Sequence, residues 1–146
     1  MARNYIQGSF KPKFPEKYAG DVNNIFFRSS WEKKVMLWCD NNPSILKWTS
    51  EEVVIPYLSP VDNKMHRYFV DFMIKVRDKS GLINNYLVEV KPEAQTKPPK
   101  VRQRKTKLLL EEHKTYAVNQ AKWKAAEEWC RNKGVKFIVL TEKHLY

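Results

Sequence analysis

Two predicted strands joined by a tight turn lie in the middle of the sequence, and they constrain the fold more than any other stretch. Residues 67–77 alternate between apolar and mixed positions, and residues 83–91 form a second apolar run that ends in Glu-Val-Lys. Residues 78–81, Asp-Lys-Ser-Gly, suit a type I turn with the glycine in the left-handed conformation. The pattern predicts a hairpin whose three-residue loop leaves Asp78 facing Leu82.

The turn also fixes which residues face each other across the hairpin. Counting back from it by equal steps pairs Met73 with Leu87, Asp71 with Glu89, and Phe69 with Lys91. The apolar row of the first strand, which is predicted to face the core, consists of Tyr68, Val70, Phe72, Ile74 and Val76. Asp71 and Glu89 are therefore predicted to be direct neighbours on the opposite face, with Lys91 about 7 Å further along.

The predicted opposition of Asp71 and Glu89 needs a compensating charge. Like charges facing each other at about 5 Å destabilise a sheet. Mg²⁺ takes oxygen ligands and usually binds one or two carboxylates together with water and substrate phosphate. We therefore predict a Mg²⁺ site, in which Mn²⁺ can substitute, with Lys91 near a phosphate oxygen or the attacking water. The alternative is a solvated strand face that carries ordinary charges.

A third acidic residue, Glu32, comes from a helix predicted at residues 30–40. Ser29 and Glu32 match a capping box, in which the carboxylate reaches back to the amide of Ser29. Glu32 also shares a helix face with the apolar residues of this helix, so its side chain is predicted to point toward the core. The sequence leaves both roles open, a helix cap and an acid that helps to place a second metal ion.

The charge balance points to a polyanionic partner. The chain of 146 residues carries a formal net charge of +11, from 27 Lys and Arg residues against 16 Asp and Glu residues, which is typical of proteins that bind nucleic acid. Two segments are basic, an N-terminal arm at residues 1–20 and a loop at residues 92–107. We predict that the loop binds DNA phosphates, and the alternative is a solvated linker. The candidate residues are Lys97, Lys100, Arg102, Arg104, Lys105 and Lys107.

The remaining pattern predicts one α/β domain at residues 21–146. Residues 52–58 are predicted to form a strand that follows an apolar connector at residues 45–48. Residues 115–132 suit an amphipathic helix, on which Gln120 and Lys122 are either a solvated face or further DNA contacts. Residues 135–140 suit a buried strand, and the helix before it allows a parallel crossover. The order α-β-β-β-α-β predicts a sandwich of helices around a central mixed sheet.

The cysteines and the apolar content exclude other classes of protein. Cys39 and Cys130 lie far apart inside predicted helices, without metal-ligand spacing, so we expect free thiols of an intracellular protein. No stretch approaches the roughly 20 apolar residues of a membrane span, and the N-terminus lacks the apolar region of a signal peptide. We expect no membrane association.

The order of the acidic residues and the lysine resembles the PD-(D/E)XK superfamily of restriction-endonuclease-like nucleases. The resemblance covers about residues 24–142, and it implies that Asp71 and Glu89 bind the metal, that Lys91 is the catalytic lysine and that Glu32 is the first-helix acid. The sequence departs from the motif at one position, because Val70 stands where the motif has proline.

Within this superfamily, residues 27–32, 88–92 and 125–142 are similar to the N-terminal nuclease domain of the TnsA transposase subunit. The chain as a whole resembles the head completion nucleases of T4-like bacteriophages. This resemblance implies a deoxyribonuclease that processes packaged double-stranded DNA before head-tail joining, with phage head or neck proteins as partners. It also implies a location in the host cytoplasm during assembly, or in the virion head or neck. Two alternatives stay open, a DNA-binding structural head or neck protein with an inactive site and a transposase-type endonuclease subunit.

Overall fold

The computed structural model describes residues 7–100 and 106–145, in which helices flank a central sheet. In chain order, the described strands and helices are β1 Gly8–Ser9, β2 Phe26–Phe27, α1 Ser30–Asn41, β3 Ile45–Ser50, β4 Val54–Leu58, β5 Met65–Phe69, β6 Phe72–Arg77, β7 Ile83–Val90, α2 Lys107–Lys133, β8 Lys136–Leu140 and α3 Glu142–Leu145. Single 3-10 turns lie at Pro15–Lys17 and Glu93–Thr96.

The central sheet has four strands in the order β3-β6-β7-β8. The first three strands run antiparallel to their neighbours, whereas β8 runs parallel to β7, and α2 makes the connection between these two strands. Two small antiparallel ribbons, β1-β2 and β4-β5, lie outside this sheet. The predicted α/β sandwich around a mixed sheet is confirmed.

The hairpin of β6 and β7 has the predicted turn. Gly81 adopts the left-handed conformation with φ of 87°, which glycine reaches without a Cβ clash. The amide of Asp78 donates to the carbonyl of Leu82 at 2.9 Å, so the loop contains three residues. Further along, Met73 pairs with Leu87 as the turn predicts.

The first strand of the sheet was assigned wrongly from the sequence. Residues 45–48, predicted to be a connector, belong to β3, which pairs with β6 along the edge of the central sheet. The predicted strand at residues 52–58 is real from Val54 onward, but it pairs with β5 in a separate ribbon. The prediction failed because the apolar run of β3 covers only residues 45–48. The strand continues through two polar residues, Thr49 and Ser50.

The predicted strand at residues 67–77 is interrupted at Val70 and Asp71. The segment before the break pairs with β4, and the segment after it pairs with β3 and β7. The break also ends the predicted alternation, because Tyr68 and Val70 pack on one side of the central sheet and Phe72 and Ile74 pack on the other. The prediction treated the alternation as continuous, and one apolar row therefore supplies two cores.

Helix α2 is longer than the predicted helix at residues 115–132. It begins after Thr106, whose hydroxyl accepts from the amide of Leu109 at 3.2 Å, and it ends at Gly134, which has φ of 67°. The exposed Leu108 and Leu110 obscured the helical periodicity on either side of the buried Leu109. Helix α2 therefore begins at residue 107, which was predicted to be the last residue of the basic loop.

The side chains of the sheet form one core on each face. The α1-side core is formed by Phe10, Tyr18, Ile25, Phe27, Val35, Met36, Cys39, Ile45, Trp48, Phe72, Ile74, Val88 and Val90. The α2-side core is formed by Ile55, Tyr57, Tyr68, Val70, Leu87, Trp123, Ala126 and Cys130. Both cysteines are buried free thiols. Within residues 7–100 and 106–145, no helix combines the length and the apolar character needed to cross a membrane.

The described part of the N-terminal arm, residues 7–20, packs against the domain. Phe10 and Tyr18 enter the α1-side core. The ammonium of Lys17 donates to three carbonyl oxygens at the C-terminal end of α1, at 2.7 to 2.9 Å, where a cation also complements the helix dipole. This basic residue of the arm therefore caps a helix.

Candidate active site

Asp71 lies at the break between β5 and β6, at the end of the hairpin ladder. The last backbone pair of the ladder is Phe72 with Val88. Beyond that pair, the amide of Val90 donates to the carboxylate of Asp71 at 2.7 Å. The backbone pairing thus ends three residues before the predicted pair of Phe69 with Lys91, and the side chain of Asp71 binds the backbone of β7 instead. This contact fixes the Asp71 carboxylate beside the end of β7.

Glu89 is buried next to Asp71, on the α2 side of the sheet. The hydroxyl of Tyr68 donates a short hydrogen bond to Oε2 of Glu89. The ammonium of Lys91 lies 3.7 Å from Oε1 of the same carboxylate. The structure therefore brings together Asp71, Glu89 and Lys91 at the end of β7. The predicted backbone pairs Asp71–Glu89 and Phe69–Lys91 do not form, because the chain leaves the ladder at the break and Phe69 pairs with Val54.

The two acids interact directly and unfavourably when both are ionised. Burial and the negative charge of Glu89 raise the pKa of Asp71 well above its usual value, and Glu32 adds to this effect. Burial likewise raises the pKa of Glu89, against the opposing effects of Lys91, the Tyr68 hydrogen bond and Lys122. Two adjacent, buried carboxylates repel each other and are poorly solvated. Binding of a cation between them is therefore favourable.

Glu32 is buried at the first turn of α1 and has a capping role. The hydroxyl of Ser29 accepts from the amide of Glu32 at 3.2 Å and also donates to its carboxylate at 3.2 Å. The carboxylate accepts from the amide of Arg28 at 3.4 Å, one residue before the predicted partner. The charge of Glu32 nevertheless reaches the acid pair, because it contributes to the raised pKa of Asp71.

Sequence reasoning missed two residues beside the acids. Glu51 adopts the left-handed conformation with φ of 55°, which is strained for a residue with a side chain. Its amide donates to the carbonyl of Asp71 at 3.1 Å, and its carboxylate pairs with Arg28. Tyr68, which donates to Glu89, was assigned only to the core. No sequence pattern signals either role, because both depend on the break at residues 70 and 71.

Among the predicted DNA-binding residues within the described ranges, Lys122 has a charge that acts on the acid pair. It is half-buried on α2, and its ammonium lies over the rings of Tyr57 and Tyr68. Burial lowers its pKa, as does the charge of Lys91, whereas Glu89 and Asp71 oppose the shift. Of the two alternatives for this helix face, a fully solvated side chain does not describe Lys122, which is half-buried.

The other predicted DNA contacts lie at the surface or outside the described residues. Lys97, Lys100, Lys107 and Gln120 are exposed, and Lys97 pairs with Glu93 at 3.3 Å. Arg102, Arg104 and Lys105 lie outside the described residues. Their contact with DNA stays a prediction.

The donor set fits a metal ion that binds few protein ligands. In the described ranges, no group of three His, Cys, Asp or Glu side chains converges closely enough to hold a metal ion. Two adjoining carboxyls do converge, Asp71 and Glu89, and Mg²⁺ usually takes one or two carboxylates and completes its shell with water and phosphate. The residues present therefore suit Mg²⁺ better than a metal that needs a cage of protein ligands.

Fold and site together define a restriction-endonuclease-like nuclease. Residues 42–142 match the family described as TnsA-like endonuclease N terminal, and the chain belongs to this family. It is also 41% identical, over 142 residues, to the head completion nuclease of Enterobacteria phage T4, with 94% of this chain and 92% of the phage T4 protein covered. Both matches support the predicted function, a nuclease that acts in phage head completion.

Proposed function

We propose that this nuclease hydrolyses phosphodiester bonds of double-stranded DNA and that Asp71 and Glu89 hold a first divalent metal ion, Mg²⁺ or Mn²⁺. The observation that carries the proposal is the pair of buried carboxyls at the end of the hairpin, each with a raised pKa, and a lysine 3.7 Å from one of them. When bound, the ion would supply a more acidic water and positive charge beside the phosphate.

The residues of the chain have separate parts in this proposal. The Val90 amide and the Tyr68 hydroxyl hold the two carboxylates in place. Lys91 has one of two roles. It donates to a phosphate oxygen, which stabilises the charge that develops on the phosphate, or it orients the attacking water. Glu32 is proposed to help place a second metal ion through its charge. The basic loop contacts phosphates on either side, so little sequence specificity is expected.

We further propose that the substrate is packaged phage DNA and that cutting precedes head-tail joining. The support is the extended match to the head completion nuclease of phage T4. Head or neck proteins would then be partners, and the protein would act in the host cytoplasm during assembly or within the virion head or neck.

The test is cleavage of linear double-stranded DNA by the purified protein. We expect cutting with Mg²⁺ or Mn²⁺, loss of cutting with EDTA, and loss of at least 1,000-fold in rate for Asp71→Ala, as for removal of a group on which the transition state depends. Asp78→Ala is the matched control, because Asp78 lies in the same hairpin at the exposed turn. Its rate should stay within twofold of the wild type.

Two outcomes would contradict the proposal. Equal cutting by Asp71→Ala and the wild type would show that the site lies elsewhere. If neither protein cuts, yet both bind DNA with a steep dependence on salt, the structural head or neck protein would be favoured instead. Cutting confined to a specific transposon end would favour the transposase-type subunit.

A further inference from the structure

Lys122 is a half-buried lysine on α2 whose charge acts on the acid pair. Its ammonium lies 5.8 Å from the ring centroid of Tyr57 and 5.5 Å from that of Tyr68. These two rings belong to neighbouring strands, β4 and β5, and both are buried in the α2-side core. The aromatic faces attract the cation and hold it in one place.

The charged groups that face Lys122 all belong to the candidate active site. Asp71 and Glu89 attract its ammonium, and Lys91 repels it. Lys122 forms no ion pair with a carboxylate in the described parts of the chain, whereas Lys91 has Glu89 at 3.7 Å. Within the described residues, the site thus holds a partly desolvated cation that contacts two aromatic rings and has no ion pair with a carboxylate.

Such a cation needs an anion when the acids are occupied by a metal ion. The ion would take the negative charge of Asp71 and Glu89, and both lysines would then face one positive centre. A phosphate beside the ion presents two nonbridging oxygens, and each can accept a hydrogen bond from an ammonium. Tyr68, whose ring lies under the Lys122 ammonium, also donates to Glu89. Tyr68 therefore links the position of Lys122 to a residue that would hold the ion.

We propose that Lys122 is a catalytic residue whose ammonium donates to a nonbridging oxygen of the phosphate that is cleaved. The proposal rests on the proposed function, and it adds a second substrate contact to the one assigned to Lys91. It also separates Lys122 from the lysines of the basic loop, which would contact neighbouring phosphates only.

The test compares Lys122→Met with Lys124→Met in the full-length chain. Methionine keeps an unbranched stem for packing but has no charge, and Lys124 is exposed two residues further along the same helix. Single-turnover cleavage of a DNA duplex is measured with Mg²⁺, and Kd for the same duplex is measured with Ca²⁺ in place of Mg²⁺. We expect Lys122→Met to lower the cleavage rate about 100-fold, the usual effect of losing one donor to the transition state. Its Kd should change by less than about threefold, and Lys124→Met should match the wild type.

A second variant separates contact with phosphate from a structural role. Lys122→Arg keeps a cation that can reach an oxygen. Its cleavage rate should therefore be at least tenfold higher than that of Lys122→Met. If Lys122→Met cuts DNA at nearly the wild-type rate, the catalytic role of Lys122 is overturned. The proposed function would stand, since the wild type still cuts. A loss in affinity with an unchanged single-turnover rate would also overturn the catalytic role, because that result assigns Lys122 to a flanking phosphate. Absence of cutting by the wild type would instead overturn the proposed function.

Discussion

The two faces of the central sheet differ in what they bury, although the same strands supply both. Strand β7 directs two apolar side chains, Val88 and Val90, into the α1-side core. Its other face directs Leu87 into the α2-side core and then continues with Glu89 and, beyond the strand, Lys91. The difference indicates that one face holds the strands in register while the other carries buried charge at a cost in stability.

The largest expected effect lies on the α1 side and concerns Met36. This side chain is fully buried, and Met36→Ala removes its contacts and leaves a cavity. We expect the free energy of unfolding to fall by about 2–5 kcal/mol, measured by urea denaturation. The nuclease rate per folded molecule should stay within twofold, because the Met36 side chain contributes no polar group to the site.

Leu37→Ala is the control for this change. Leu37 follows Met36 in the same helix but is 43% exposed, so its loss should change the free energy of unfolding by no more than about 0.5 kcal/mol. A large loss of rate in folded Met36→Ala would contradict the division of the sheet into a stabilising face and a catalytic face.

A smaller effect is expected at Glu32, which lies between the two roles. Glu32→Gln removes the charge but retains a residue that suits a capping box, so the free energy of unfolding should change by no more than about 0.5 kcal/mol. The concentration of Mg²⁺ needed for half-maximal cleavage should rise about tenfold, the lower end of the effect of outer-shell groups at metal sites. A titration of the cleavage rate with Mg²⁺ measures this.

Ser29→Ala gives the opposite pattern and serves as the control. It removes the hydroxyl that caps α1 and that also donates to the Glu32 carboxylate, and it should cost about 1 kcal/mol of stability. The dependence on Mg²⁺ should change less than in Glu32→Gln, because the charge of Glu32 is kept. If Glu32→Gln instead lost stability and kept its dependence on Mg²⁺, Glu32 would be a helix cap only.

The sequence was enough to predict that two acidic residues and a lysine come together, because their proximity depends on a short local register. The turn at residues 78–81 fixes β6 against β7 over a few residues, so Asp71, Glu89 and Lys91 could be placed on one face by counting. The capping role of Glu32 was also visible in its spacing from Ser29. These features depend on neighbours in the sequence or on a single turn.

What the sequence could not show are the features that depend on the change of sheet at residues 70 and 71. The break assigns β5 to a separate ribbon, brings Tyr68 to Glu89 and places Lys122 over two tyrosine rings. Apolar alternation runs through the break without a gap, so nothing local indicates it. The edge strand β3 was missed for a different reason, since its apolar run is short and the strand ends in two polar residues, Thr49 and Ser50.

The smallest expected effect is a gain in stability from neutralising Glu89. The pKa of Glu89 is raised in the folded protein by burial, so the folded state binds its proton more tightly than the unfolded state does. The stabilising contribution is therefore present below the unfolded pKa, near 4, and is lost as pH rises through the folded value. Glu89→Gln has no such loss, and its amide oxygen can still accept from Tyr68.

We therefore expect Glu89→Gln to be more stable than the wild type at pH 7.5 by about 1 kcal/mol, although it should be inactive. Urea unfolding with EDTA at pH 5 and pH 7.5 measures both the gain and its decrease toward acid. Glu93→Gln is the control of opposite sign, because ion pairs with Lys143 and Lys97 lower the pKa of Glu93, so this change should not stabilise the protein. Equal stability of Glu89→Gln and the wild type at pH 7.5 would mean that the buried acids cost the fold nothing, and the contrast between the two faces would then be one of composition alone.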